Sequence, residues 1–132
     1  MRVMGHNVFA VLVAAIAIYA IEFVIFGLII PGDQYASMVG LSVDDMHPDR
    51  MPVGIAPPLL AAIGLSLVVK WRNASSVMAG AVTGVLMAIF FAFAAALYGY
   101  VYGAHNEQFL AVNLAHFIVC YAVAGAIVAI WK

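Results

Sequence analysis

The sequence predicts an all-α fold, an integral membrane bundle of four transmembrane helices with both termini on the inner side, on three observations. Hydrophobic residues fill 67% of its 132 positions and charged residues only 8%. Four apolar stretches are each bounded by breakers or charged turns. Of five Lys and Arg, all but Arg50 fall on one side of the resulting topology. Soluble domains carry about 25% charged residues, so a water-facing globule is excluded. So is a disordered chain, which lacks this apolar content. Five basic residues against six acidic ones give no footprint for nucleic acid. Cys120 stands alone, which excludes an internal disulfide and any zinc-ligand spacing.

Crossing ~30 Å of hydrocarbon takes about 20 helical residues. The first span is expected over 8–30 and stops at Pro31-Gly32-Asp33. It outruns the core of a secretion signal and is read as a retained helix. The second is expected over 52–69. Counted from Pro57 it would rise only ~20 Å, so a helix starting near Pro52 and kinking at Pro57-Pro58 is preferred. The third is expected over 76–102 and the fourth over 109–131. These make one four-helix domain, 1–132. An extracytoplasmic loop of about 20 residues, roughly Pro31 to Val53, joins the first two spans. It holds Asp33, Asp44, Asp45 and Asp49 and reads as a solvated acidic loop, with a short helix starting at Ser42. Its spacing matches no calcium or zinc pattern. Arg2, Lys70, Arg72 and Lys132 share one side, which the positive-inside bias makes cytoplasmic.

Small residues are placed for close helix contact. They include Gly80-x-x-x-Gly84 and Gly99-x-x-x-Gly103 on the third span and Ala111-x-x-x-Ala115 on the fourth. In lipid, packing rather than hydrophobicity drives helix association, and small residues let backbones approach. Packing within the chain is the preferred use; a subunit interface is the alternative.

The informative polar residues lie inside the bilayer. Glu22 is eight positions before Ile30, ~12 Å below the outer boundary. His116 is seven positions after Phe109, ~10 Å below the same boundary. Two ionisable groups on antiparallel spans thus reach nearly one depth. Asn113, His116 and Cys120 share one face of the fourth span, and Tyr19, Glu22 and Phe26 one face of the first. A membrane charge costs at least ~2.5 kcal/mol on insertion scales, so Glu22 needs a protein partner, water or a proton. Glu22, His116, Asn113 and Tyr19 are therefore the candidate intramembrane site, read as a proton or solute relay or as a hydrogen bond joining two helices. No nucleophile–base–orienter set, HExxH or phosphate loop is present, so no enzyme, metal or cofactor is expected.

Ile21-Glu-Phe-Val-Ile-Phe26-Gly27, Met38-Val-Gly40-Leu-Ser42, Asn113-Leu-Ala-His116 and Ala124-Gly-Ala-Ile127 before Trp131 together resemble the small bacterial membrane proteins grouped as domain of unknown function 1761. The resemblance runs along nearly the whole chain. Where that family usually shows an aromatic "WYSP-like" stretch, this chain has Ala20-Ile-Glu-Phe23, so Glu22 departs from the pattern. The resemblance implies four helices in a bacterial inner membrane and no particular substrate. The leading functional expectation is a transporter- or channel-like protein built on the Glu22/His116 site. The alternative is an accessory subunit of a larger membrane complex. Expected partners are the bilayer and either copies of the chain or other membrane subunits.

Overall fold

A computed structural model describes residues 2–3 and 5–131. Four long apolar helices dominate it, at Val8–Ile29, Pro48–Trp71, Val77–Val101 and Glu107–Ile130, each long and apolar enough to cross a membrane. Their sequences dictate how each begins. Asn7 accepts hydrogen bonds from the Phe9 and Ala10 amides and starts α1 (Val8–Phe23). Ser76 accepts from the Ala79 amide and starts α4 (Val77–Met87). Asn106 accepts from the Phe109 amide and starts α6 (Glu107–Ile130). Each side chain satisfies an amide that would otherwise lack a partner at a helix end.

The second span differs from the kinked helix expected from its prolines. A 3₁₀ stretch, Pro48–Ile55, leads into α3, Ala56–Trp71. Pro57 and Pro58 occupy the first turn of α3, where a missing N–H costs nothing. The change of pitch from 3₁₀ to α falls just before them. The 16 residues of α3 rise ~24 Å, and the 3₁₀ stretch adds length at ~2 Å per residue.

Two other spans change pitch midway. The first runs from α1 into a π-helical segment, Val24–Ile29, closed by the Ile30 amide donating to the Ile25 carbonyl at 2.9 Å. The third passes from α4 through π-helical Ala88–Phe93 into α5, Ala94–Val101.

The fourth span is central, packing against α1, α3 and α4. One core cluster joins Ala14 and Ile18 of α1, Ala62 and Leu65 of α3, and Cys120 and Ala124 of α6. Between α4 and α6 the backbones touch. A Cβ on Gly80 would overlap the Gly125 carbonyl, and one on Gly84 the Tyr121 carbonyl. These two glycines are consumed inside the chain. Gly99 and Gly103 do not join helices: the His105 imidazole lies on Gly99, and Gly103 faces the Gly99 carbonyl. Ala111 and Ala115 are exposed on the outward face of α6.

The connection between the first two spans is more ordered than a solvated acidic loop. Gly32–Val39 forms α2, stopped by Gly40 at φ 75°, a left-handed position that suits glycine. Met38 and Ala36 of α2 are buried. The Met38 carbonyl accepts from the Asn106 amide at 2.9 Å, and Gly40 abuts Ala104. Thus α2 is latched to the turn between the third and fourth spans. At Ser42 there is only a 3₁₀ turn, Val43–Asp45. The Ser42 hydroxyl and amide donate to the Asp45 carboxylate at 2.6 and 3.1 Å.

At the opposite end, Arg2–Val3 and His6–Asn7 pair as a two-stranded antiparallel hairpin. Gly5, Lys70, Asn73 and Trp131 line one cavity there, so the N-terminal segment, the second connection and the end of the fourth span share one end. Lys132 and the Arg2 side chain, two of the charges that suggest orientation, lie outside the described residues.

Candidate functional site

The structure brings Glu22 and His116 together. Nε2 of His116 lies 3.3 Å from Oε1 of Glu22, with side-chain exposures of 6% and 28% respectively. The matched depth on antiparallel helices is therefore a contact. Glu22 sits in the last turn of α1 before the π-helical segment, and His116 about two-fifths of the way along α6. A π-turn adds a residue to the helical circuit and redirects the side chains beyond it, a feature concentrated at functional sites. Here the redirected side chain is Phe26. Its ring meets the His116 imidazole edge-on, with centroids 5.2 Å apart.

Phe26 opens an aromatic cluster towards the end of the bundle that carries α2. It lies 5.8 Å from Tyr35 of α2 and 6.5 Å from Phe109 of α6, and Tyr35 and Phe109 are 5.8 Å apart. His105 caps Phe109 at 4.7 Å. Burial among these rings raises the Tyr35 phenol above its ordinary pKa of 10.0, favouring the uncharged hydroxyl. The cluster therefore stands between the Glu22–His116 pair and the end of the bundle that carries α2.

The pair is incompletely satisfied. Nδ1 of His116 is buried with no hydrogen-bond partner among the described residues. An imidazole has two nitrogens to satisfy, and a buried unpaired one costs about 1–3 kcal/mol. Asn113, one turn away, is also buried, and its amide makes no hydrogen bond among the described residues. Cys120 lies one turn further in, fully buried, with its sulfur 4.0 Å from the Ile18 carbonyl. Asn113, His116 and Cys120 form the shared face that their spacing indicates. Tyr19 does not join them. It is 44% exposed on the outward side of α1, because the face of α1 holding Ala14 and Ile18 turns inward.

One polar contact has no forerunner in the sequence reading. Thr83 is buried on α4 between the two seam glycines. Its hydroxyl donates to the Ala79 carbonyl at 2.7 Å and accepts from Arg72 Nη1 at 2.9 Å. Arg72 thus reaches from the connection into the bundle, and nothing in sequence spacing signals that reach. Among the described residues, no three His, Cys, Asp or Glu converge as metal ligands.

Four membrane-length helices with a carboxylate–imidazole contact between the first and fourth define a small polytopic membrane protein. A family model described as "Protein of unknown function (DUF1761)" matches residues 9–129, and the chain belongs to that family. No curated protein and no solved structure is detectably similar to it.

Proposed function

We propose that this protein is a small transporter-like membrane protein that handles protons, or a small solute coupled to them, through Glu22 and His116. The reading places it in a bacterial cytoplasmic membrane with both termini inside, and gives it no covalent chemistry. The observation that carries it is the 3.3 Å contact together with the unpartnered Nδ1. In a low-dielectric setting a neutral pair is favoured over a charged one. Two arrangements are neutral: a protonated carboxyl facing a neutral imidazole, and a carboxylate facing an imidazolium. A proton shift between Oε1 and Nε2 interconverts them and leaves Nδ1 as the second position at which a proton enters or leaves. A simple structural hydrogen bond explains less. Such bonds in membranes contribute about 0.6 kcal/mol on average, too little to offset a half-buried carboxyl within a membrane span and an unsatisfied nitrogen together. The cluster of Phe26, Tyr35 and Phe109 supports a gated path to the outer end.

Reconstitution into liposomes loaded with a pH-sensitive dye tests this. Glu22→Gln and His116→Gln are each expected to lower proton flux by at least about tenfold. Equal flux from wild type and Glu22→Gln overturns the proposal.

A second reading, an accessory subunit of a larger membrane assembly, is favoured by one observation. Ala111 and Ala115 face outward and are free to receive another helix closely. Extraction in mild detergent followed by mass spectrometry tests it. A chain migrating without partners overturns it.

A further inference from the structure

Only one side of the Glu22 carboxylate is engaged. Its Oε1 meets His116, while Oε2 makes no hydrogen bond among the described residues. The side chain remains 28% exposed, although it lies seven residues before the end of a membrane-length helix. Hydrocarbon offers such an edge neither a hydrogen bond nor a countercharge, and a charge there costs at least ~2.5 kcal/mol. The edge lies fifteen residues along the first span from Asn7, ~22 Å from the terminal hairpin.

Its surroundings are open sideways. Tyr19 and Phe26 stand one turn to either side of Glu22 along the first span, and Tyr19 is exposed. On the facing helix, His116 follows Ala115 and precedes Val119 by one turn, and both of those are exposed. The two members of the pair therefore border the exposed stripes of their own helices. Protein closes behind the buried imidazole, and the carboxylate edge looks out at the rim of the α1–α6 seam. The titratable groups within electrostatic reach of Glu22 are His116, Cys120 and Tyr121, all on α6. The other helix packed on α1 is α3, whose one charged residue, Lys70, lies at its far end. Among the described residues, His116 is thus the single group near Glu22 able to carry a positive charge.

Building on the proton-handling reading above, we propose that this rim binds a monovalent organic cation arriving from the bilayer, in exchange for the proton held by the pair. Charge selects the class of ligand. The neutral pair holds one carboxylate and one proton, on either Glu22 or His116. A cation that settles on Oε2 leaves a carboxylate beside a neutral imidazole, so one proton departs for each cation bound and the site's net charge is unchanged. A hard metal ion is a poor occupant, because it takes about six oxygen ligands and no three ligating side chains converge among the described residues. An organic cation carries its charge within a carbon-rich shell and surrenders little hydration at the rim. Aromatic faces on either side of the carboxylate attract it further.

Equilibrium binding of tetraphenylphosphonium to the full chain in mild detergent tests this. Calorimetry in two buffers of different protonation enthalpy counts the protons released. About one proton is expected per cation, and affinity is expected to fall as pH is lowered, because proton and cation compete for one carboxylate. Glu22→Gln is expected to weaken binding at least about tenfold, and Tyr19→Leu about threefold. Tetraphenylborate, an anion of the same shape, is expected not to bind. Equal binding by wild type and Glu22→Gln overturns the inference, as does tetraphenylborate binding as tightly as the cation. Should Glu22→Gln fail to fold, an unchanged affinity in Tyr19→Leu, altered at an exposed side chain, overturns it instead. Proton flux that falls on Glu22→Gln, with no Glu22-dependent cation binding, overturns this inference and leaves the relay standing. Glu22-dependent binding with proton release, but flux indifferent to Glu22→Gln, supports the cation site and overturns the relay alone. A dimer lost on Ala115→Trp, with cation binding unaltered, assigns the rim to a second copy and overturns the inference equally.

Discussion

The two halves of the fourth span meet their neighbours in opposite ways. Towards the end that holds the N-terminal hairpin and Trp131, α6 touches α4 backbone to backbone, with Gly80 and Gly84 against Gly125 and Tyr121. Towards the end that carries α2 the same helix holds Asn113, His116 and Phe109, facing a π-helical first span and a ring cluster. The half towards the hairpin has regular helices and a seam of small residues in backbone contact between α4 and α6. The half towards α2 has irregular pitch, large rings and, among the described residues, polar atoms without partners. Close packing in lipid gains dispersion contacts and needs no polar group. Polar groups retained at the other end are therefore not needed for cohesion, and function is best sought there.

Substitutions sharpen the contrast. Gly84→Val forces a side chain into the Tyr121 carbonyl and is expected to cost about 3 kcal/mol, read as loss of monodisperse protein or a large fall in thermal midpoint. A tolerated valine would break the distinction between the halves. Phe26→Ala removes the ring between His116 and Tyr35. Half-buried, it is expected to cost about 2 kcal/mol and, in the liposome assay, to raise proton leak. Thr83→Val keeps the shape and removes both hydrogen bonds; about 1 kcal/mol is expected, measured by unfolding in denaturing detergent. Glu22→Gln is expected to shift stability by less than about 1 kcal/mol while lowering flux. A large loss of stability with unchanged flux would reassign the pair to cohesion.

The smallest effect belongs to Asp45, outside the membrane helices. The Ser42 hydroxyl holds its carboxyl below the ordinary 3.8, so the fold favours the ionised form. Its stabilising contribution is present above that ordinary value and lost as pH falls through the lower folded value. Asp45→Asn is expected to lower the thermal midpoint slightly at neutral pH, with the difference from wild type vanishing in strong acid.

What the sequence discloses follows from which signals are local. The spans are legible because bilayer thickness fixes a length and composition marks it. The Glu22–His116 contact is legible because a fixed rise per residue converts sequence position into depth. Tyr19 shows the limit: sharing a helical stripe with Glu22 does not set which side of that stripe faces protein, and the stripe is broad. The helix α2 did announce itself, through Pro31 before it, Asp33 in its first turn and Gly40 after it, signals easily overshadowed by the acidic residues that follow. The π-helical segments and the Arg72–Thr83 bond arise from tertiary fit and carry no local signature.

The latch formed by α2 has a consequence for biogenesis. Its anchoring partners, Ala104 and Asn106, leave the ribosome some sixty residues after Gly40, so the first hairpin of helices must enter the bilayer with this segment undocked. Assembly then ends with a clasp closing across that end of the bundle once the second hairpin arrives. A nascent chain arrested before Ala104 should be cut by external protease near Met38, and the completed chain should resist.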